Sequence, residues 1–219
     1  MRIVLFDIDG TLLLTNRGGS SAIQHALQQE FGLESPSTDI DFCGRTDRAL
    51  LAEILRHNAI ADSDEHFQRL RLRYTALLPR VLEERGGEVL PGALELLSVL
   101  REKSNLRCYA MTGNLAATAA HKLQHFGLDH YFDGVFGGDD DAHRDDLARR
   151  TAAAIRANHG ELARSNMTVI GDTPADIQCG HAVGAEVIAV CSGQYDRESL
   201  ESNQPIAVFD DLSDVQSIV

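Results

Sequence analysis

Three stretches of this sequence collect residues able to do chemistry on an anionic substrate: Asp7-Ile8-Asp9-Gly10-Thr11, Thr112-Gly113-Asn114 and Gly171-Asp172-Thr173-Pro174-Ala175-Asp176. Three or four carboxylates in one crevice repel each other unless a cation neutralises them. No His or Cys lies in these stretches, so the ligands are hard oxygens, which suit Mg2+ better than zinc. A carboxylate can also attack phosphorus and form an acyl phosphate. Asp7 and Asp9 then supply one nucleophile and, two residues on, a proton donor. The hydroxyl of Thr112 and the amides of Gly113 and Asn114, at a helix N-terminus, form a cradle for phosphate.

These stretches need a scaffold that brings them together, and the apolar runs before them provide it. Ile3–Phe6, Cys108–Met111, Met167–Ile170 and Val187–Val190 read as buried strands, apolar on both faces as a parallel sheet requires. Gly134–Phe136 and Ala207–Phe209 are weaker strand candidates. Between them run helical stripes such as Ala93, Leu96, Leu97, Leu100 and Ala116, Ala119, Leu123, Phe126. Strand–helix alternation predicts an α/β fold with a doubly wound parallel sheet. In such a sheet the three polar stretches converge beyond the carboxyl ends of the strands, where ligands bind.

Residues from about 15 to 88 interrupt the alternation. Helical patterns over about 18–31, 45–57 and 64–85 follow one another without a strand. The expected organisation is a core of residues 1–14 and 89–219 with an all-helical insert at 15–88. Thr15 to Gly19 mark its start; Gly86-Gly87 and Pro91-Gly92 mark its end as hinges.

Composition narrows the function classes. A formal net charge of −13 over 219 residues argues against nucleic acid and against an anionic membrane surface. The expected partner is a small phosphorylated metabolite; oligomeric state is not legible. Cys43, Cys108, Cys179 and Cys191 form no Cys-x-x-Cys pair, which favours reduced thiols. The first apolar run ends after four residues, shorter than a secretory signal or a spanning helix. A cytoplasmic protein is expected. The nine histidines show no metal-ligand spacing and read as surface or core residues.

The three motifs, in this order and each after its strand, resemble those of the haloacid dehalogenase-like hydrolases, phosphatase type, close to phosphoglycolate phosphatases. The resemblance spans essentially the whole chain. It implies a Rossmann-like core and a Mg2+-dependent phosphatase acting through an aspartyl phosphate. Asp7 would be the nucleophile, and Asp9 the acid that protonates the leaving oxygen and then activates water. Thr112, Gly113 and Asn114 would hold the phosphoryl group. Mg2+ would be held by Asp7, Asp172 and the backbone carbonyl of Asp9, with Asp176 behind them. The helical insert would be a cap, and Arg45, in Gly44-Arg45-Thr46-Asp47, would face the substrate's distal anion.

One element departs from the pattern. The family usually places a Lys between the second and third motifs, and this chain has only Lys103 and Lys122. Lys103 precedes the Thr112 strand. Lys122 lies ten residues beyond Thr112, about 15 Å along a helix axis, so neither is expected to reach the phosphate. Arg144, in the loop after Gly134–Phe136, is the expected substitute. Two other readings stand beside the phosphatase: a phosphomutase of the same superfamily, and a phospho-ligand binding protein without turnover.

Overall fold

The computed structural model describes residues 1–161 and 166–215. Six parallel strands form its sheet: β1 (Arg2–Phe6), β4 (Leu106–Thr112), β5 (Gly134–Gly137), β6 (Met167–Gly171), β7 (Glu186–Val190) and β8 (Ala207–Phe209). Their order across the sheet is β5-β4-β1-β6-β7-β8. The chain therefore builds outward from β1 on one side, then crosses back and builds outward on the other. Beyond the carboxyl end of β1 the flanking connections diverge, which is the switch point where open α/β sheets bind ligands.

Alternation along each strand divides its side chains between two apolar layers. Val4 and Phe6 face α4 (Ala93–Arg101) and α5 (Ala116–His125), packing with Leu96, Leu100, Ala119 and Leu123. Ile3 and Leu5 face α6 (Arg144–His159) and α7 (Pro174–Ala182), packing with Leu147, Ile155 and Ile177. Burial on both faces explains why these strands read as unbroken apolar runs. A short α8 (Arg197–Glu201) precedes β8.

Three helices lie between β1 and α4: α1 (Gly18–Phe31), α2 (Asp47–His57) and α3 (Asp64–Arg85). Thr46 and Ser63 cap α2 and α3, accepting from the amides of Ala49 and His66. Ala22, Ile23, Leu27, Leu51, Ile54, Leu55, Leu70, Leu78 and Leu82 form their own apolar core. Leu115, from the loop before α5, is fully buried in that core. Burying a leucine in this way is worth roughly 1.5–3 kcal/mol, so the loop is pinned to the helices.

The helices are flanked by a feature absent from the sequence pattern. β2 (Leu13–Leu14) and β3 (Glu88–Val89) pair antiparallel, clasping the chain where it leaves and rejoins the sheet. Two-residue strands are too short to show alternation. Gly87, at φ 146°, has no room for a side chain, because a Cβ there would strike the carbonyl of Leu14 and the ring of Phe126. Among the described residues, no helix is long and apolar enough to cross a membrane.

Candidate active site

Asp7 follows β1 directly, and its amide donates to the carbonyl of Ile170 on β6 at 2.9 Å. That bond sets Asp7 beside Asp172, which follows β6. Asp176 lies in the first turn of α7, where a capping box holds it. Thr173 Oγ1 accepts from the Asp176 amide, while Asp176 Oδ2 accepts from the Thr173 amide at 3.1 Å. One carboxylate oxygen from each of Asp7, Asp172 and Asp176 falls within 4.8 Å of the others. All three residues are buried.

Arg144 lies in the same pocket. It is the first residue of α6 rather than a loop residue, and it is buried. Both terminal nitrogens of its guanidinium lie 3.4 Å from Asp7 Oδ1, and one of them pairs with Asp176. Its Nε is buried with no hydrogen-bond partner among the described residues. A buried donor left unpaired is rare in a folded protein and marks Arg144 as a residue whose role goes beyond packing.

Charge in this cluster is unbalanced. Burial, then Asp176, then Asp9 push the carboxyl of Asp7 up to about 7, against the pull of Arg144. Burial, followed by Asp176 and Asp7, raises Asp172 well above the usual carboxylate range, although the Thr11 hydroxyl donates to it at 2.9 Å. Burial opposes the charge of Arg144, but Asp176 and Asp7 outweigh it and raise its pKa. One guanidinium faces three carboxylates. The excess negative charge and the all-oxygen donors fit a hard divalent cation. Space around Asp172 is kept by glycines, since a Cβ on Gly10 or Gly193 would collide with its carboxylate.

Asp9 looks the other way. Asn114 Nδ2 donates to Asp9 Oδ2 and to Thr112 Oγ1, each at 2.7 Å. The backbone amide of Asn114 donates to Thr112 Oγ1 at 3.3 Å. Asn114 therefore meets the site through its side chain as well as its backbone. The amides that begin α5 are taken by carboxylates, Leu115 by Asp47 at 2.9 Å and Ala116 by Asp139 at 2.7 Å. Gly113 sits where a Cβ would strike the carbonyl of Arg45. Its own carbonyl accepts from the Asp47 amide at 2.6 Å.

The structure does not bring the Arg45 guanidinium to the carboxylates. It pairs with Glu53 at 2.5 Å and donates to the carbonyl of Asp41 at 3.1 Å. Only the backbone of Arg45 reaches the Gly113 turn.

Lys122 comes closer to the site residues than a spacing of about 15 Å along a helix suggests, though what it meets is Asp9 and Asn114. Its ammonium is 2.7 and 2.6 Å from Asp9 Oδ1 and Oδ2, and 2.7 Å from Asn114 Oδ1. Helix α5 begins at Ala116, so Lys122 is only about 9 Å along the axis. Side chains on a helix also lean toward its N-terminus, which sends the lysine stem back to the crevice. Lys122 on the buried stripe with Thr118, Ala119 and Leu123 was the signal available in the sequence.

The chain matches the family model of haloacid dehalogenase-like hydrolases over residues 4–181. It is 30% identical to a probable phosphatase IndB of Dickeya dadantii, across 97% of this chain and 91% of the relative. It is 29% identical to a phosphoglycolate phosphatase of Rhodospirillum rubrum, across 97% of this chain and 88% of the relative. Among solved structures, CbbY from Rhodobacter sphaeroides in complex with phosphate superposes with a TM-score of 0.76 at 14% identity, covering 98% and 96% of the two chains. At that identity the likeness speaks for the fold. The matched motifs and the sheet that carries them place this chain in the haloacid dehalogenase-like hydrolase family, with phosphoglycolate phosphatases among its relatives.

Proposed function

We propose that the chain is a Mg2+-dependent phosphatase that hydrolyses a small phosphomonoester through a phosphorylated Asp7. The observation that carries this reading is the trio of buried carboxylates, Asp7, Asp172 and Asp176, opposed among the described residues by the guanidinium of Arg144 alone. Asp7, Asp172 and the backbone carbonyl of Asp9 would hold the ion, whose charge would offset that of the phosphate. Asp176 would stand behind them, fixed by its capping box and Arg144.

In the first step a carboxylate oxygen of Asp7 attacks phosphorus and the ester oxygen departs. Asp9 donates the proton that the leaving alcohol requires. Arg144, with its buried spare N–H, steadies the phosphoryl oxygens, as do Thr112 and the turn at Gly113 and Asn114. In the second step Asp9 takes a proton from water. That water attacks the phosphorus, phosphate departs, and the Asp7 carboxylate is restored.

The helices α1–α3 act as a cap that covers the crevice and recognises the leaving group. Relatives named phosphoglycolate phosphatases favour a small, anionic leaving group. The free Cys43, Cys108, Cys179 and Cys191 suit a reducing, cytoplasmic setting. The experiment is phosphate release from p-nitrophenyl phosphate and from phosphoglycolate, with Mg2+ and with excess chelator. Mg2+-dependent release supports the reading. Binding without release would favour a phospho-ligand binding protein.

A further inference from the structure

We infer that Lys122 is a positioning residue that aims Asp9, and that the phosphoryl group is left to Arg144. This inference rests on the phosphatase reading above. An ammonium group carries three N–H donors. The three oxygens within 2.6–2.7 Å of Lys122 Nζ are the two carboxylate oxygens of Asp9 and the side-chain oxygen of Asn114. Every donor is therefore engaged, and none remains for a phosphate oxygen. Arg144 differs: it pairs with Asp176, holds Asp7 by two long contacts of 3.4 Å, and keeps a buried Nε without a partner among the described residues.

The surroundings of Lys122 support the same division. The side chain is 4% exposed, whereas that of Asp9 is 38% exposed. Asp9 thus reaches into the crevice from a buried anchor. Asn114 completes the anchor in one amide orientation: Nδ2 gives to Asp9 and Thr112, and Oδ1 accepts from Lys122. Among the described residues Asp9 Oδ1 accepts only the lysine, which leaves a lone-pair position for a leaving oxygen or a water. A half-exposed aspartate without this anchor would sample several rotamers. Proton transfer needs the carboxyl within hydrogen-bond reach of the leaving oxygen.

The anchor also touches the helical cap. A Cβ on Gly19, at the start of α1, would lie 3.9 Å from Lys122 Nζ and 3.5 Å from the hydroxyl of Tyr74 on α3. Helices α1 and α3 thus approach the lysine that holds Asp9.

The test compares the wild type with Lys122→Met, Asp9→Asn and the double variant, in full-length enzyme with Mg2+. Two esters are used, an alkyl phosphomonoester and p-nitrophenyl phosphate, whose leaving group scarcely needs a proton. Lys122→Met is expected to lower kcat for the alkyl ester by about 10- to 100-fold, the scale of a small misplacement of a catalytic group. The loss on the aryl ester should be much smaller, and the double variant should be no slower than Asp9→Asn alone. Equal losses on both esters, a change confined to KM, or additive losses in the double variant would overturn the inference. If Lys122→Met does not fold, Lys122→Gln, which keeps an amide donor, undergoes the same comparison with the same criteria. An inactive wild type would overturn the phosphatase reading and this inference with it. An active wild type with equal losses overturns this inference alone.

Discussion

The carboxylate of Asp47, in the first turn of α2, accepts a 2.9 Å hydrogen bond from the backbone amide of Leu115, just before α5. The exchange is reciprocal, because the Asp47 amide donates to the carbonyl of Gly113 at 2.6 Å. Two helix N-termini, each carrying a positive end, are thereby brought together, with Asp47 and Asp139 supplying the negative charge between them. Helix α2 meets the core at the turn that carries Thr112, Gly113 and Asn114.

Burial pushes the carboxyl of Asp47 up to about 6, from an ordinary 3.8, although the Leu115 amide and Lys122 pull it down. The folded protein therefore holds this proton more tightly than the unfolded chain. Stability from this group is fully present below about pH 3.8 and is lost as pH rises through about 6. Asp47→Asn keeps an acceptor for Leu115 and stays neutral. Its Tm relative to wild type should rise between pH 4 and about 6.5 and then level off, by linkage worth up to about 3 kcal/mol. A Tm difference that ignores pH would contradict the buried charge.

The trio at Asp7, Asp172 and Asp176 predicts a metal requirement. Chelated enzyme should be inactive, Mg2+ should restore it, and Ca2+ should compete without restoring it. Calcium favours more ligands and looser geometry, which disturbs an in-line attack. Full turnover in excess chelator would contradict the assignment.

Asp9 predicts a dependence on the leaving group. Asp9→Asn should slow alkyl phosphate hydrolysis by about 100- to 10,000-fold, the usual span of general acid–base catalysis. Hydrolysis of p-nitrophenyl phosphate should suffer far less. Equal losses measured by steady-state kinetics would remove Asp9 from the proton-transfer role.

Much of this site was legible because the motif residues follow strands. Asp7 and Asp172 come directly after β1 and β6, whose apolar runs mark them. The three cap helices were legible from their stripes, and the observed spans Gly18–Phe31 and Asp64–Arg85 match the periodicity. A count of ten residues from Thr112 hides Lys122, because α5 starts only at Ala116 and helical side chains lean toward the N-terminus. The β2–β3 clasp was missed because two residues carry no periodicity. The pairing of Arg45 with Glu53 is a contact across one turn of loop and two turns of helix, which spacing alone does not single out.

That pairing yields a prediction about specificity. Arg45 and Glu53 are both partly exposed at 2.5 Å, so an incoming anion must displace Glu53 to reach the guanidinium. If a distal carboxylate of the substrate does so, Arg45→Ala should lower kcat/KM by about 10- to 150-fold for that substrate. Glu53→Gln should lower its KM, since the competitor is gone. Turnover of p-nitrophenyl phosphate, which lacks a distal anion, should change little in either variant. Equal effects on both substrates would make this pair structural.

A phosphoryl group carried by Asp7 can be read chemically. Enzyme quenched in acid during turnover is reduced with borohydride, which converts a phosphorylated aspartate to homoserine, and its peptides are sequenced by mass spectrometry. Conversion at position 7, dependent on substrate and absent from Asp7→Asn, is the predicted result. Conversion at another carboxylate, or none during a measured burst of product release, would contradict the account.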